Sequence, residues 1–292
     1  MSRLPEPAHG WQARLALKFK AGASRTTLAE REHVGPLLVQ RVFYPEPALP
    51  ATGSSRREPC HVYIIHPPGG VASGDELTLE VEAGANAHAL LTTPAAAKFY
   101  RRGPAGTASV RQVLRIEDGA LEWLPQENIF YPDAAVELHT VVQLSAAARF
   151  IGWEIGCLGL PASAQDLSRG LLRLRFELWR GAQPLLLERL NIEHGAAAAR
   201  WGLSGHVAFG TALAYPAGEP ELERTRAALA AAGAGADCAE LLLACTLIDG
   251  VLVCRATARR TDRLRQAFVK WWQVVRPCVL AREAVAPRIW ST

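Results

Sequence analysis

Residues 75–93 read Asp-Glu-Leu-Thr-Leu-Glu-Val-Glu-Ala-Gly-Ala-Asn-Ala-His-Ala-Leu-Leu-Thr-Thr. Leu77, Leu79 and Val81 alternate with Thr78, Glu80 and Glu82, so a strand here buries one face and wets the other. Gly84 and Asn86 interrupt it, and residues 87–92 read as the next strand. Upstream, Pro68-Gly69-Gly70 reads as a tight turn between strands, because a phosphate loop opens a helix and here a strand follows. Gly74 lets the chain turn again and brings Asp75 to the mouth of the strand.

The same period of two recurs. Leu172, Leu174, Phe176 and Leu178 alternate with Arg173, Arg175 and Glu177, and Val136, Leu138, Thr140, Val142 and Leu144 alternate with Glu137, His139 and Gln143. Residues 37–43, 61–66, 108–116, 149–157, 184–190 and 206–214 are further strand candidates. Asp249-Gly250 between two apolar runs signals a type I′ hairpin. No helical spacer of the length a parallel βαβ sheet needs separates the strands, so the fold is read as mainly β. Helices are expected late, over 221–232, ending at Gly233, and over 262–275, capped by Thr261 and stopping before Pro277. In the second, Leu264, Phe268, Trp271, Trp272 and Val275 share a stripe that packs into the core, with a partner-facing surface as the other reading. Pro45 to Pro59 reads as an exposed, weakly ordered loop.

At 292 residues the chain has room for a substantial core, as one large domain or two small ones. Its 32 basic and 28 acidic residues leave a formal charge of +4 with no basic run longer than a pair, which argues against nucleic acid. The amino terminus lacks an apolar signal core, and Asp249-Gly250 breaks the most apolar stretch, so neither secretion nor a membrane span is expected. A cytoplasmic location follows. Six scattered cysteines without a Cys-x-x-Cys pair read as small buried hydrophobes in a reducing compartment.

A complete catalytic set is missing. There is no nucleotide-binding Gly-x-x-x-x-Gly-Lys-Ser/Thr and no His-Glu-x-x-His. His61 and His66 fall on opposite faces of one strand, which is poor geometry for a shared metal. Ser204 lies in Gly-Leu-Ser-Gly, one residue short of a nucleophile elbow. Asp75 and Glu127 are available as an acid/base pair for a β-rich hydrolase or isomerase. Glu154 stands in an apolar stretch, where an acid is costly unless paired, hydrogen-bonded or facing water. Thr92, Thr93 and Lys98 add hydroxyls and one cation.

Taken together, His66-Pro-Pro-Gly-Gly through Gly74-Asp75, Leu91-Thr-Thr-Pro through Lys98-Phe-Tyr-Arg101, Leu121-Glu-Trp-Leu-Pro-Gln-Glu127-Asn-Ile129, Phe150-Ile-Gly-Trp-Glu154 and Pro287-Arg-Ile-Trp290 resemble the urease accessory protein UreD (UreH) family. The resemblance runs nearly end to end. One departure is Leu160, where the family usually has arginine in Leu-Gly-Arg-Pro. The resemblance implies one UreD-like domain over 1–292, a stacked or helical β-sheet architecture (β-barrel- or β-helix-like) and a few α-helices near the C-terminus. It further implies a non-enzymatic urease maturation factor that binds the urease apoprotein and UreF, with the GTPase UreG reached through UreF. Such a factor holds no cofactor tightly and gives nickel transient passage along an internal, water-filled path. A passing ion needs weak, replaceable oxygen contacts. Asp75, Thr92, Thr93, Glu127 and Glu154 offer such oxygens and, together with Lys98, are the expected passage residues, with Trp271, Trp272, Arg276, Arg288 and Trp290 in the UreF contact.

Overall fold

The computed structural model describes residues 10–49, 57–165, 167, 169–193, 195, 198–200, 202–233 and 240–291. In chain order the strands begin with β1 (Gln12–Ala21), β2 (Thr26–Val34), β3 (Leu38–Phe43), β4 (Cys60–Ile65), β5 (Glu76–Ala83) and β6 (His88–Thr92). There follow β7 (Ala97–Phe99), β8 (Ala108–Ile116), β9 (Ala120–Trp123), β10 (Asn128–Phe130), β11 (Ala135–Leu144) and β12 (Arg149–Leu158). The last are β13 (Leu171–Arg180), β14 (Gln183–Ile192), β15 (Ala208–Tyr215), β16 (Leu241–Ile248) and β17 (Val251–Ala258). Two helices, α1 (Glu219–Gly233) and α2 (Thr261–Leu280), complete the chain.

The strands build two sheets. One runs β14-β13-β11-β8-β5-β1-β2, the other β16-β17-β15-β12-β9-β6-β4-β3 with β7 and β10 attached through β12. Between β4 and β13 the chain winds as a solenoid. β5, β8 and β11 lie in the first sheet, and each is followed across a short turn by β6, β9 or β12 in the second. The strands of this winding are therefore parallel to their neighbours in each sheet, while the flanking pairs such as β1–β2, β13–β14 and β12–β15 are antiparallel. Parallel pairing arises here without a helical spacer, since the return path is a strand of the other sheet. The turns stack too, with Asn86 N–H donating to the Asp118 carbonyl at 3.0 Å.

Residues of one inward row sit side by side on successive rungs, as Leu77, Val110, Leu138 and Leu174 do. Their buried neighbours fill the space between the sheets. A second core lies between the ten-stranded sheet and the helices, giving three layers. The outer face of the first sheet is wet and carries crossed charges such as Lys18–Glu82 at 3.3 Å and Arg173–Glu137 at 2.8 Å.

Asp249 and Gly250, both at positive φ, close the β16–β17 hairpin as expected. α2 departs from expectation at both ends. Its N-cap is Arg260 without a side-chain cap bond, and the helix continues through Pro277 to Leu280. Pro277 sits in the last turn, and its carbonyl accepts the N–H of Ala281, which terminates the helix in the left-handed region (φ 52°). The extra residues bury Val279 and Leu280, which offsets the backbone bond a proline gives up.

Candidate functional site

An aromatic stripe on α2 presses Leu264, Phe268, Trp271 and Trp272 onto the second sheet, all with no exposed surface. Arg276, one turn on, is equally buried and enters an ionic cluster. Its guanidinium donates to Glu122 on β9 at 2.9–3.0 Å and to Glu46 at 2.6 and 3.2 Å. Trp272 Nε1 donates to Glu122 Oε2 at 2.7 Å. His88 lies 2.8 Å from Glu122, His61 2.7 Å from Glu46, and Arg282 adds a contact to Glu46 at 3.2 Å.

Burial alone pushes both carboxyls up. The opposing pull of Arg276, helped by His88 at Glu122 and by His61 at Glu46, holds both below the usual range. Burial also lowers His88, which stays neutral at pH 7. Two acids and two arginines thus cancel, and the cluster ties α2 to β4, β6 and β9. Two expectations are corrected here. Trp271, Trp272 and Arg276 have no surface to offer a partner, because the stripe and the guanidinium are core. Glu46, read as part of an exposed loop, is 2% exposed because Arg276, 230 residues later, draws it inward.

The inner faces of the sheets carry a different kind of polarity. On the first sheet one row runs Leu79, Gln112, Thr140, Phe176, so two polar residues break an apolar row. Thr140 Oγ1 lies 2.9 Å from Gln112 Oε1 and also contacts Glu154 Oε1 from the opposite sheet. The row on the second sheet continues Glu154, Thr211, Arg255, and Arg255 Nε donates back across to Glu188 on β14 at 2.7 Å. Gln112, Thr140, Glu154, Thr211, Arg255 and Glu188 therefore form a polar track along the seam.

Two cavities open on that track. One of about 480 Å³ is lined by Leu79, His66, Lys98, Gln112, Gln126 and Glu154, among others. The other, about 500 Å³, is lined by Phe176, Glu188, Phe209, Thr211, Leu242, Arg255 and again Glu154. Glu154 lines both. Gly156, two residues on, leaves room for the Phe209 ring, which an added Cβ would meet at 2.3 Å. Burial pushes the Glu154 carboxyl up to about 8, with a small addition from Glu188, against the hydrogen bond from Thr140. The donor count agrees. A hydroxyl carries one proton, so with the Gln112 oxygen facing Thr140, a protonated Glu154 completes a chain from carboxyl to hydroxyl to amide oxygen.

The remaining expected residues are spread around this seam. Thr93 and Lys98 line the first cavity. Lys98 is exposed at its mouth, and Thr93 Oγ1 accepts the Gln126 N–H at 2.9 Å. Asp75 and Thr92 line neither cavity. Asp75 accepts backbone N–H groups from Trp11 at 2.8 Å and Ala72 at 2.7 Å, and so caps the turn that Gly74 makes at φ 79°. Thr92 is fully buried, donating to the Leu124 carbonyl at 2.6 Å and accepting from Trp290 Nε1 at 2.9 Å. Glu127 also lies off both cavities, with Oε2 buried and unpartnered. Asp75 and Glu127 thus share no cavity. Trp290 is half-buried against Trp153 and Trp272, and Arg288 is exposed. Among the described residues, no three of His, Cys, Asp or Glu converge as a metal cage, and no helix is long and apolar enough to cross a membrane.

Reasoning from sequence missed Gln112, Thr140, Glu188 and the buried cluster. The signal for the first two was a polar residue at an inward position of an alternating strand. The cluster had no local signal at all.

A family model described as UreD urease accessory protein matches residues 12–291. The urease accessory protein UreD of Klebsiella aerogenes is 40% identical over 293 aligned positions, covering 99% of this chain and all of the relative. Those of Alcanivorax borkumensis and Pseudomonas putida are 39% and 40% identical and cover 97% of the chain. A match of this extent, on a solenoid of two stacked sheets with both helices in its later part, places the chain in the UreD urease accessory protein family.

Proposed function

We propose that this chain serves urease maturation as a non-enzymatic scaffold that holds the urease apoprotein and UreF, with UreG beyond UreF, and lets nickel pass along the seam between its sheets. Family membership supports the role in maturation. The observation that carries the passage is Glu154, which faces a cavity on either side and belongs to a track of amide, hydroxyl and carboxyl groups running out to Glu188 and Arg255.

A divalent ion is held briefly by such oxygens and released, because among the described residues no thiolate or imidazole set competes for it. The raised affinity of Glu154 for its proton suits the task. At neutral pH the carboxyl stays uncharged and does not trap cations, and an arriving Ni²⁺ displaces the proton. Thr93 and Lys98 belong to the mouth of the first cavity, where the cation of Lys98 slows entry. Asp75 and Thr92 support the walls through backbone bonds. The UreF contact moves to Arg288 and the outer edge of Trp290.

The test is co-expression with the urease subunits and the other accessory proteins. Glu154→Ala and Glu154→Gln are expected to co-purify with their partners in normal amounts while urease nickel content falls several-fold. Wild-type nickel loading by both variants would remove the passage from this account.

A further inference from the structure

The β16–β17 hairpin places two cysteines opposite one another. Pairing runs without slip from Ile248↔Val251 at the turn through Cys245↔Cys254 to Leu241↔Ala258. In a two-residue hairpin the closing pair exchanges both backbone bonds. Alternation then leaves Leu247↔Leu252 unbonded, Thr246↔Val253 bonded and Cys245↔Cys254 unbonded. An unbonded pair holds its Cα atoms about 4.5 Å apart, inside the roughly 4.4–6.8 Å that a disulfide spans.

Both side chains leave the sheet on the helix-covered face, Cys254 fully buried and Cys245 7% exposed. The thiols hydrogen-bond to one another, and that contact holds Cys245 below the usual thiol range while raising Cys254. The guanidinium of Arg226 on α1, 3.4 Å from the Cys245 carbonyl, also favours charge on the Cys245 sulfur. Cys60 and Cys157 are buried on other strands, and burial raises both thiols. Cys278 is partly exposed with Arg224 Nη1 3.2 Å from its sulfur, but it lies on α2; Cys245 is the sulfur with a resolving partner already in place.

We propose that Cys245 and Cys254 are a modification site, a dithiol that low-molecular-weight disulfides of the glutathione class convert to a cross-strand disulfide. The Cys245 thiolate attacks one sulfur of the small disulfide, breaks its S–S bond and releases one thiolate, which takes up the Cys245 proton. Cys254 then loses its proton as its sulfur attacks the mixed disulfide, and the second small thiol leaves. The chain gives up two electrons and two protons, and the small disulfide becomes two thiols. The opposite face of the same edge strand carries Leu242 and Ala244 into the lining of the 500 Å³ cavity. The bond therefore stiffens one wall of that chamber.

The test uses the full chain, equilibrated with oxidised and reduced glutathione, blocked with N-ethylmaleimide and mapped by fragment mass spectrometry. Expected is the joint loss of two alkylatable thiols per chain and a Cys245–Cys254 cross-link that dithiothreitol reverses. Cys60→Ser, Cys157→Ser, Cys238→Ser and Cys278→Ser variants should retain it, and Cys254→Ser should instead accumulate the glutathione adduct on Cys245. Full alkylation of both cysteines after oxidation overturns the assignment, as does preferential cross-linking of either one to Cys238. The wild-type map decides the matter alone should a serine variant fail to fold.

Discussion

Glu122 and Glu154 stand on neighbouring strands of the same sheet, one facing α2 and the other facing the opposite sheet, and their surroundings differ in kind. Around Glu122 every oxygen is engaged, by Trp272, His88 and the Arg276 guanidinium, and neither of the two seam cavities touches it. Around the Glu154 carboxyl, among the described residues, Thr140 alone donates or accepts, and open volume lies on both sides. Saturated, charge-matched groups fix elements in place, because moving any member strands another in a medium of low dielectric. An acid with spare coordination sites is free to exchange partners. The first region holds α2 on the solenoid, and the second remains available to a visitor.

The contrast is broken most severely at Arg276. Arg276→Ala leaves Glu122 buried without its cation and Glu46 with Arg282 alone, at about 3–5 kcal/mol. A fall in melting temperature on the order of 10 °C is expected by scanning calorimetry. A fall of only a degree or two would mean the cluster is not what fastens α2.

The two acids should next show opposite dependence on pH. Glu122 is held low when folded, so its contribution is present above the unfolded value and is lost as pH falls through the folded one. Glu154 is raised from 4.5 to about 8, so folding is favoured below the unfolded value and penalised progressively as pH climbs between the two. Glu154→Gln removes that penalty. The variant should outlast the wild type by a few kcal/mol at pH 9 in urea titrations, with the gap closing by pH 5. An equal gap at both values would refute the raised proton affinity of Glu154.

A smaller effect sharpens the boundary between support and passage. Asp75→Ala orphans the N–H groups of Trp11 and Ala72, at about 1–2 kcal/mol, and should speed hydrogen exchange at those two amides while leaving urease nickel content unchanged. Lower nickel in a variant of normal stability would return Asp75 to the passage.

Strand positions were legible in the sequence wherever one face is buried, since Leu77-Leu79-Val81 and Leu172 through Leu178 follow the pleat directly. Pairing direction was not, because alternation is the same whether the neighbour is antiparallel or the next turn of a solenoid. The Asp249-Gly250 turn was readable from local chemistry alone. Glu154 was legible as an acid among apolar residues, but its partner Thr140, and Gln112 beyond it, come from strands that only the winding brings opposite it. The Glu46–Arg276 contact, closing a span of 230 residues, has no local trace. Leu160, where the sequence departs from the resemblance, bridges to Gln165, with its N–H donating to the Gln165 carbonyl at 2.7 Å.

The winding itself has one more implication. Because each rung between β4 and β13 is paired chiefly to the rung before and the rung after, residues added at a corner cost at most a turn-to-turn bond such as Asn86–Asp118 and leave the strand ladders in place. Lineages are therefore free to lengthen or reshape the corners that border the cavity mouths without shifting the register that aligns Gln112, Thr140 and Glu154. Length differences among relatives should accumulate at those corners, while the interior spacing from rung to rung stays constant.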